Sequence, residues 1–316
     1  MKIQRAVIEI NGGCNYSCEM CPQTNPGRHK GFLKKMPLDM FEDLVKQSVD
    51  AGATVINLEG SGEATLLNNL PEYIRIVKKY GAKADICSNA FRFRGQFMKD
   101  CIDAGLDRLR ISVIGYDKDT YNKWMNRNAF EYIKQNAKDA IEYIKETNST
   151  CRIASYHLIL DNDQSDYEVE QYRKNFIDEV GTFAEIWKMH NWSGAYENPN
   201  ERQGGVKTCG RPFAPEITIR AGGLDGKTGA VHPCCQVLGR DEEAVLGHTS
   251  ENTIEEVWNG DEFNKLREGH TTGDYPSYCK NCDFLVDDPE ILVYTNYERD
   301  VHKLYGTTFS LEDYRK

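Results

Sequence analysis

Three cysteines crowd one short stretch, GGCNYSCEMCP, at Cys14, Cys18 and Cys21, directly after the apolar-rich run AVIEI. Thiolates select soft metals, iron–sulfur clusters among them. A cubane [4Fe–4S] cluster has four irons and each wants one outer ligand, so three thiolates on one loop leave the fourth iron open to something that reacts. Bacterial ferredoxin runs are spaced C-x2-C-x2-C and add a further distant cysteine, whereas this run is C-x3-C-x2-C. A structural zinc site wants four protein ligands, and the nearest following Cys or His is His29. A second group, Cys209, Cys234, Cys279 and Cys282, is spaced C-x24-C-x44-C-x2-C and supplies enough thiolates to close a metal site completely. That spacing alone does not separate zinc from iron–sulfur. Cys87, Cys101, Cys151 and Cys235 stand outside both patterns and read as small buried hydrophobes.

The elements that must position these groups alternate regularly. IQRAVIEI at 3–10 reads as a strand, and 38–51 places Leu38, Phe41, Leu44, Val45 and Val49 at helical spacing. ATVINLEG, AKADICSN, LDRLRISVIG, RIASYHLIL and FAEIWKMH read as further strands, and the segments between them as helices, two closing at Gly81 and Gly105. About six β-α units over roughly 190 residues imply parallel strands joined by right-handed crossovers, an open or partial (β/α)6 barrel rather than a closed eightfold one. Reactive groups then belong at the strand C-termini, where the first cysteine run falls. The expected organisation is a barrel over 1–200, a small cysteine-rich β-hairpin and helix unit over 205–285 beyond the linker GAYENPNERQGG, and a C-terminal extension over 286–316. Within the second unit IEEVWNGDEFNKLREG reads as one helix packing through Ile254, Val257, Trp258 and Phe263.

Composition excludes several classes. The chain has 316 residues, 28% of them charged and 40% hydrophobic, and no apolar run approaches the ~18 residues of a membrane span. A net charge of −10 argues against a nucleic-acid partner, which needs a basic footprint. The N-terminus lacks the apolar core and cleavage site of a signal peptide, which places the chain in the cytoplasm. The odd count of 11 cysteines in a chain of this size speaks for metal ligands rather than a disulfide framework.

IEINGGCNYSCEMCP resembles the cluster loop of radical S-adenosylmethionine (SAM) enzymes, although the residue before the last cysteine, often aromatic there, is Met20. The resemblance implies that the open iron chelates the amino and carboxylate groups of SAM. One electron then yields methionine and a 5′-deoxyadenosyl radical that abstracts hydrogen from an unactivated C–H bond. It further implies a SAM site at successive strand ends. NLEGSGEATL is similar to the family's Gly-Gly-Glu element, with Gly60, Gly62 and Glu63; CSNAF places Ser88 and Asn89 near the cofactor; RISVIG supplies Ser112 to the ribose. The arginine common in the family beyond that serine is replaced by Trp124, with Arg127 nearby. His190, in KMHNWSG, reaches cofactor or substrate, or is a structural histidine.

The second cysteine set, within CGRPF, GAVHPCCQV, LGHTSENTIEEVWNGDEF and CKNC, is similar to the twitch domain, the shorter relative of the SPASM domain, which holds one auxiliary [4Fe–4S] cluster through four cysteines. The Gly-x4-Cys of GAVHPC favours Cys234 over Cys235 as ligand. The resemblance implies an auxiliary cluster that takes up a substrate electron, for net oxidation of a sugar, polyol or amino-sugar carbon, and an external low-potential donor such as flavodoxin or ferredoxin. Two other readings stand beside it. One is a peptide-modifying maturase or epimerase with Cys87 as hydrogen donor; the other is a non-catalytic iron–sulfur or zinc-binding protein.

Overall fold

Arg5, Ala6, Val7 and Ile8 are all buried, as a strand covered on both faces must be. This strand is β1 (Arg5–Ile8), and the alternation it begins continues through α1 (Leu38–Asp50), β2 (Val55–Asn57), α2 (Leu70–Lys79), β3 (Lys83–Ser88) and α3 (Gly95–Asp103). It runs on through β4 (Arg108–Ser112), α4 (Lys118–Met125), α5 (Phe130–Thr147), β5 (Arg152–Ile159), α6 (Ser165–Tyr172) and β6 (Phe183–Lys188). The cysteine-rich part contributes β7 (Glu216–Arg220), β8 (Ala230–His232), β9 (Gly247–His248), α7 (Ile254–Asn259), α8 (Asp261–Thr272) and α9 (Ser277–Lys280), and a last strand is β10 (Leu292–Thr295). This computed structural model describes residues 3–24, 33–200, 205, 208–223, 225–237, 244–285 and 292–296.

Strands β1 to β6 are parallel and each lies beside its neighbour in sequence. Their C-terminal ends therefore share one rim. The sheet stays open: β7 pairs parallel with the free side of β1, and β10 pairs antiparallel with β6. Beyond β7 the antiparallel β8 and β9 follow, so one ten-stranded sheet runs through both cysteine-bearing parts. Helices cover it by their apolar stripes. Phe41, Leu44 and Val45 of α1 and Leu70, Tyr73, Ile74 and Val77 of α2 are buried, with the Phe41 and Tyr73 rings edge-on at 5.0 Å. Each such side chain contributes about 2 kcal/mol by leaving water.

Two elements depart from the periodic reading. The helix expected between RIASYHLIL and FAEIWKMH passes after Tyr172 into a π-type turn, Arg173–Asp178. The helix expected over 254–269 is two, because Gly260 is extended (φ −72°, ψ 168°), closes α7 and opens α8. A capping box between Thr253 and Glu256 starts the first of them. Of the 286–316 extension, the described residues are 292–296, and His29 lies outside the described residues.

Candidate functional site

The loop after β1 is held from three sides. Asn11 forms a bridge with Lys35, and its side-chain amide donates to the carbonyls of Gly13 at 2.9 Å and Glu63 at 2.8 Å. Glu19 N–H donates to the Trp124 carbonyl at 2.8 Å, and Cys18 Sγ lies 3.8 Å from Met125 Sδ, which ties the loop to α4. Cys14, Cys18 and Cys21 are close enough that each thiolate charge is felt by its neighbours. Burial pushes the Cys18 thiol up, and the Cys21 and Cys14 charges push it further. Metal binding therefore has to supply the thiolate state, as it does for any buried thiol ligand.

At the end of β2 the chain passes within contact of that loop. A Cβ on Gly62 would stand 1.9 Å from the Asn11 carbonyl oxygen, and one on Gly60 would stand 2.3 Å from Glu9 Oε2. Only glycine lets the two backbones approach this closely. Glu63, 2% exposed, is a hub: Oε1 accepts from Thr65 N–H at 3.0 Å, Thr65 Oγ1 at 2.6 Å and Ser88 Oγ at 2.6 Å, and Oε2 accepts from Asn89 N–H at 2.8 Å. Asn89 in turn donates to Asn15 Oδ1 at 2.9 Å, beside Cys14. The ends of β1, β2 and β3 are thus locked to one another.

One cavity of about 250 Å³ is lined by Cys14, Cys18, Cys21, Gly60, Gly62, Glu63, Cys87, Ser88, Asn89, Ser112 and His190, so the structure brings these expected site residues to a common space. Cys87 Sγ and Ser112 Oγ lie 3.2 Å apart on adjacent strands. Arg127 lies over the Phe91 ring at 4.9 Å and the Tyr16 ring at 5.7 Å. Several cavity residues carry no motif. Arg110 of β4 stands between Glu59 (3.6 Å) and Glu185 (3.5 Å), with its guanidinium 5.1 Å from the Tyr156 ring centre. Burial, with Arg110 opposing it, pushes the Tyr156 hydroxyl far up, so it stays protonated. The signal for these residues is alternation: Arg110 and Ser112 share one strand face, and Tyr156 faces Ser112 in register.

The second cysteine set gathers behind this cavity. Cys209, Cys234, Cys279 and Cys282 act on one another electrostatically, and burial pushes Cys209 up to about 11 and raises Cys279 and Cys282 further. Cys235 points elsewhere: it lines the cavity, and Arg211 Nη1 donates to its sulfur at 3.5 Å. The chain after β6 joins the sets. His190 packs against Trp192 at 4.0 Å and Phe284 at 5.4 Å, and Asn191 donates to the Asn281 carbonyl at 2.7 Å inside the C-x2-C turn. Among the described residues no three or more His, Cys, Asp or Glu side chains converge as ligands of a single ion would. The donor sets are thiol-only, the type that suits an iron–sulfur core, with three thiols on the wall of an open cavity and four set together behind it.

An open parallel α/β sheet with a thiol loop at its C-terminal rim is the framework of an iron–sulfur enzyme. Residues 8–167 match the Radical SAM superfamily, half of the chain, and the chain belongs to that superfamily. Residues 226–283 match the SPASM iron-sulfur cluster-binding domain. The protein is therefore a radical SAM enzyme whose cofactors are a [4Fe–4S] cluster, SAM and auxiliary iron–sulfur. Curated relatives include a probable GTP 3',8-cyclase of Methanococcus maripaludis, 29% identical over 136 residues (43% of this chain, 44% of that one), and the GTP 3',8-cyclase of Helicobacter pylori, 25% identical over 170 residues (53% and 51%). The chain spans about half the length of these relatives. Among solved structures, BtrN in complex with AdoMet and 2-DOIA aligns with TM-score 0.61 at 17% identity, covering 93% of this chain and 100% of that one. SuiB of Streptococcus suis bound to the precursor peptide SuiA aligns with TM-score 0.64 at 15% identity, covering 90% and 70%. At these identities the likeness is one of fold. Among the described residues no helix is long and apolar enough to cross a membrane.

Proposed function

We propose that the chain is a radical SAM oxidoreductase that removes hydrogen from a small polar substrate and passes the remaining electron to an auxiliary cluster held by Cys209, Cys234, Cys279 and Cys282. The observation that carries this reading is continuity. The cavity beside Cys14, Cys18 and Cys21 shares Glu59, Arg110, Tyr156, His190, Cys235 and Gln236 with a second hollow of about 100 Å³ that reaches Arg211 and Phe284, near the second thiol set. A substrate lying there touches both ends.

When bound at Cys14, Cys18 and Cys21, the cluster with SAM supplies hydrogen-abstracting radical chemistry. The chain's own residues do the rest. The strand-end loop at Gly60 and Gly62 offers backbone groups to the methionyl end of SAM, and Ser88, Asn89 and Ser112 line its path. Glu63 positions that path, since its carboxylate is engaged by Thr65, Ser88 and Asn89. Arg110 and Tyr156 wall the substrate space, and buried aromatic rings exclude water. A cluster held by Cys209, Cys234, Cys279 and Cys282 would supply an acceptor for the second electron of such an oxidation, and Glu59, the carboxylate lining both hollows, would take the proton. An external low-potential donor, flavodoxin or ferredoxin, supplies the starting electron.

The test is anaerobic reconstitution. About eight iron and eight sulfide per chain are expected. Dithionite and SAM should then release 5′-deoxyadenosine, and Cys279→Ala with Cys282→Ala should keep that release while abolishing substrate oxidation. About four iron with one zinc would remove the auxiliary-cluster reading. A second reading, peptide modification or epimerisation, draws on Cys87, whose thiol lines the cavity beside Ser112. It requires Cys87→Ala to abolish turnover while 5′-deoxyadenosine release persists.

A further inference from the structure

Arg211 is the conspicuous group of the inner hollow. Its guanidinium lies 5.1 Å from the Phe284 ring centre and donates one N–H to Cys235 Sγ. Among the described residues no carboxylate is hydrogen-bonded to it, although Glu216 lines the same hollow and its charge is felt by the guanidinium. A guanidinium carries five N–H donors, so one bond to a thiol leaves most of its capacity open. Cations in such surroundings are normally paired. Arg110, by contrast, has Glu59 and Glu185 around it.

The opposite demand appears across the same hollow. Asn57, 2% exposed, turns its amide nitrogen to Glu59 Oε1 at 3.2 Å, because a carboxylate only accepts; its Oδ1 is thereby left without a hydrogen-bond partner among the described residues. Gln236, 7% exposed, also has an unpartnered Oε1 there. Both side chains line the hollow with Arg211. Buried acceptors without donors are costly and scarce in folded proteins. The hollow thus holds a guanidinium with unused N–H donors at one side and acceptors without donors at the other.

We propose that this hollow binds a substrate bearing a carboxylate, gripped by Arg211, and hydroxyl or ammonium hydrogens donated to Asn57 Oδ1 and Gln236 Oε1: a small hydroxy acid or amino acid, or a residue ending in one. The assignment rests on the oxidoreductase reading for its meaning, but its binding chemistry is separately measurable. Arg110 and Tyr156, which line both this hollow and the cavity beside Cys14, Cys18 and Cys21, then face the middle of that molecule. The other negative groups within reach of Arg211 are Glu216 and the thiols Cys235, Cys234 and Cys209, so the experiment has to separate a substrate anchor from a counter-charge to the cluster ligands.

The probes are L-serine, D-glycerate and L-glutamate, each beside its methyl ester, titrated at millimolar concentration into the anaerobic, SAM-loaded holoenzyme and followed by NMR line broadening. At least one acid is expected to bind roughly 10- to 100-fold tighter than its ester, the range of a charge-assisted hydrogen bond. Arg211→Gln should erase that preference and Arg211→Lys should retain part of it. Asn57→Leu should weaken acid and ester alike. No preference for acid over ester in any pair would overturn the assignment in the wild-type protein alone, whatever becomes of the variants. So would a preference that survives Arg211→Gln, with the auxiliary potential shifted instead, since Arg211 would then serve the cluster. Failure of the oxidoreductase reading shows separately, in iron content and 5′-deoxyadenosine release.

Discussion

Cys234 and Cys235 are adjacent in sequence yet meet different surroundings. Cys234 acts on Cys209, Cys279 and Cys282, whereas Cys235 receives a hydrogen bond from Arg211 in the cavity wall. The chain turns at this doublet just after β8 ends at His232, so its two side chains part and can serve two sites. Iron analysis after reconstitution should fall from about eight to about four per chain for Cys234→Ser and stay near eight for Cys235→Ser; the reverse pattern would exchange their roles. A second expectation concerns Gly62. Its missing side chain leaves room for the Asn11 carbonyl, which a Cβ would approach to 1.9 Å. Backbone cannot yield as a side chain can, so Gly62→Ala should displace the Cys14 loop, halve the iron and abolish 5′-deoxyadenosine release. Gly60→Ala meets the Glu9 side chain instead and should be milder.

Among the elements, α8 carries a pH-sensitive contact. His270 is buried and shares a 2.8 Å hydrogen bond with Thr208, next to Cys209, and burial lowers its pKa to about 4. In the unfolded chain the ring takes its proton near pH ~6.5. Below that pH the unfolded state binds a proton that the folded state refuses, so the stabilisation is complete above about 6.5, declines as pH falls and levels off below about 4. Denaturant unfolding of the anaerobic protein should therefore show a loss of about 1 kcal/mol between pH 7.5 and 5.5 from this group, and His270→Gln should flatten that slope. The elements also divide into those legible in sequence and those not. The strand–helix alternation and the Cys14 to Cys21 run depend on local period and spacing, which a sequence displays directly. The break at Gly260 was hidden because Ile254, Val257 and Phe263 keep helical spacing through it. Arg110, Arg211 and Asn57 had no motif to announce them, since their surroundings are assembled from strands far apart in the chain.

Across the whole molecule, the two thiol sets keep their spacing through a pair that sequence cannot reveal. Glu9 follows β1 and leads into the Cys14 loop; Arg220 ends β7 and leads into the hairpin that reaches Cys234. They meet at 3.0 Å, 1% and 2% exposed. Glu9 also accepts from Ser61 Oγ at 2.7 Å and Ala221 N–H at 3.2 Å, and Arg220 donates to the Val237 carbonyl at 3.0 Å. One buried ion pair therefore fastens the first cysteine strand, the Gly60–Glu63 loop and the auxiliary hairpin together. Removing one partner leaves an uncompensated charge in the interior, which costs about 3–5 kcal/mol, more than the pair itself contributes against an apolar substitute. Arg220→Met should lower unfolding stability by that amount, and Glu9→Gln, whose amide oxygen can still accept from Ser61 and Ala221, should lower it less. Combining the two should restore part of the loss, because no charge is then stranded. A double-mutant cycle in guanidinium under anaerobic conditions measures this coupling; effects that simply add within about 0.5 kcal/mol would mean that each side chain is held by its backbone partners and that the two cysteine sets are spaced by the sheet alone.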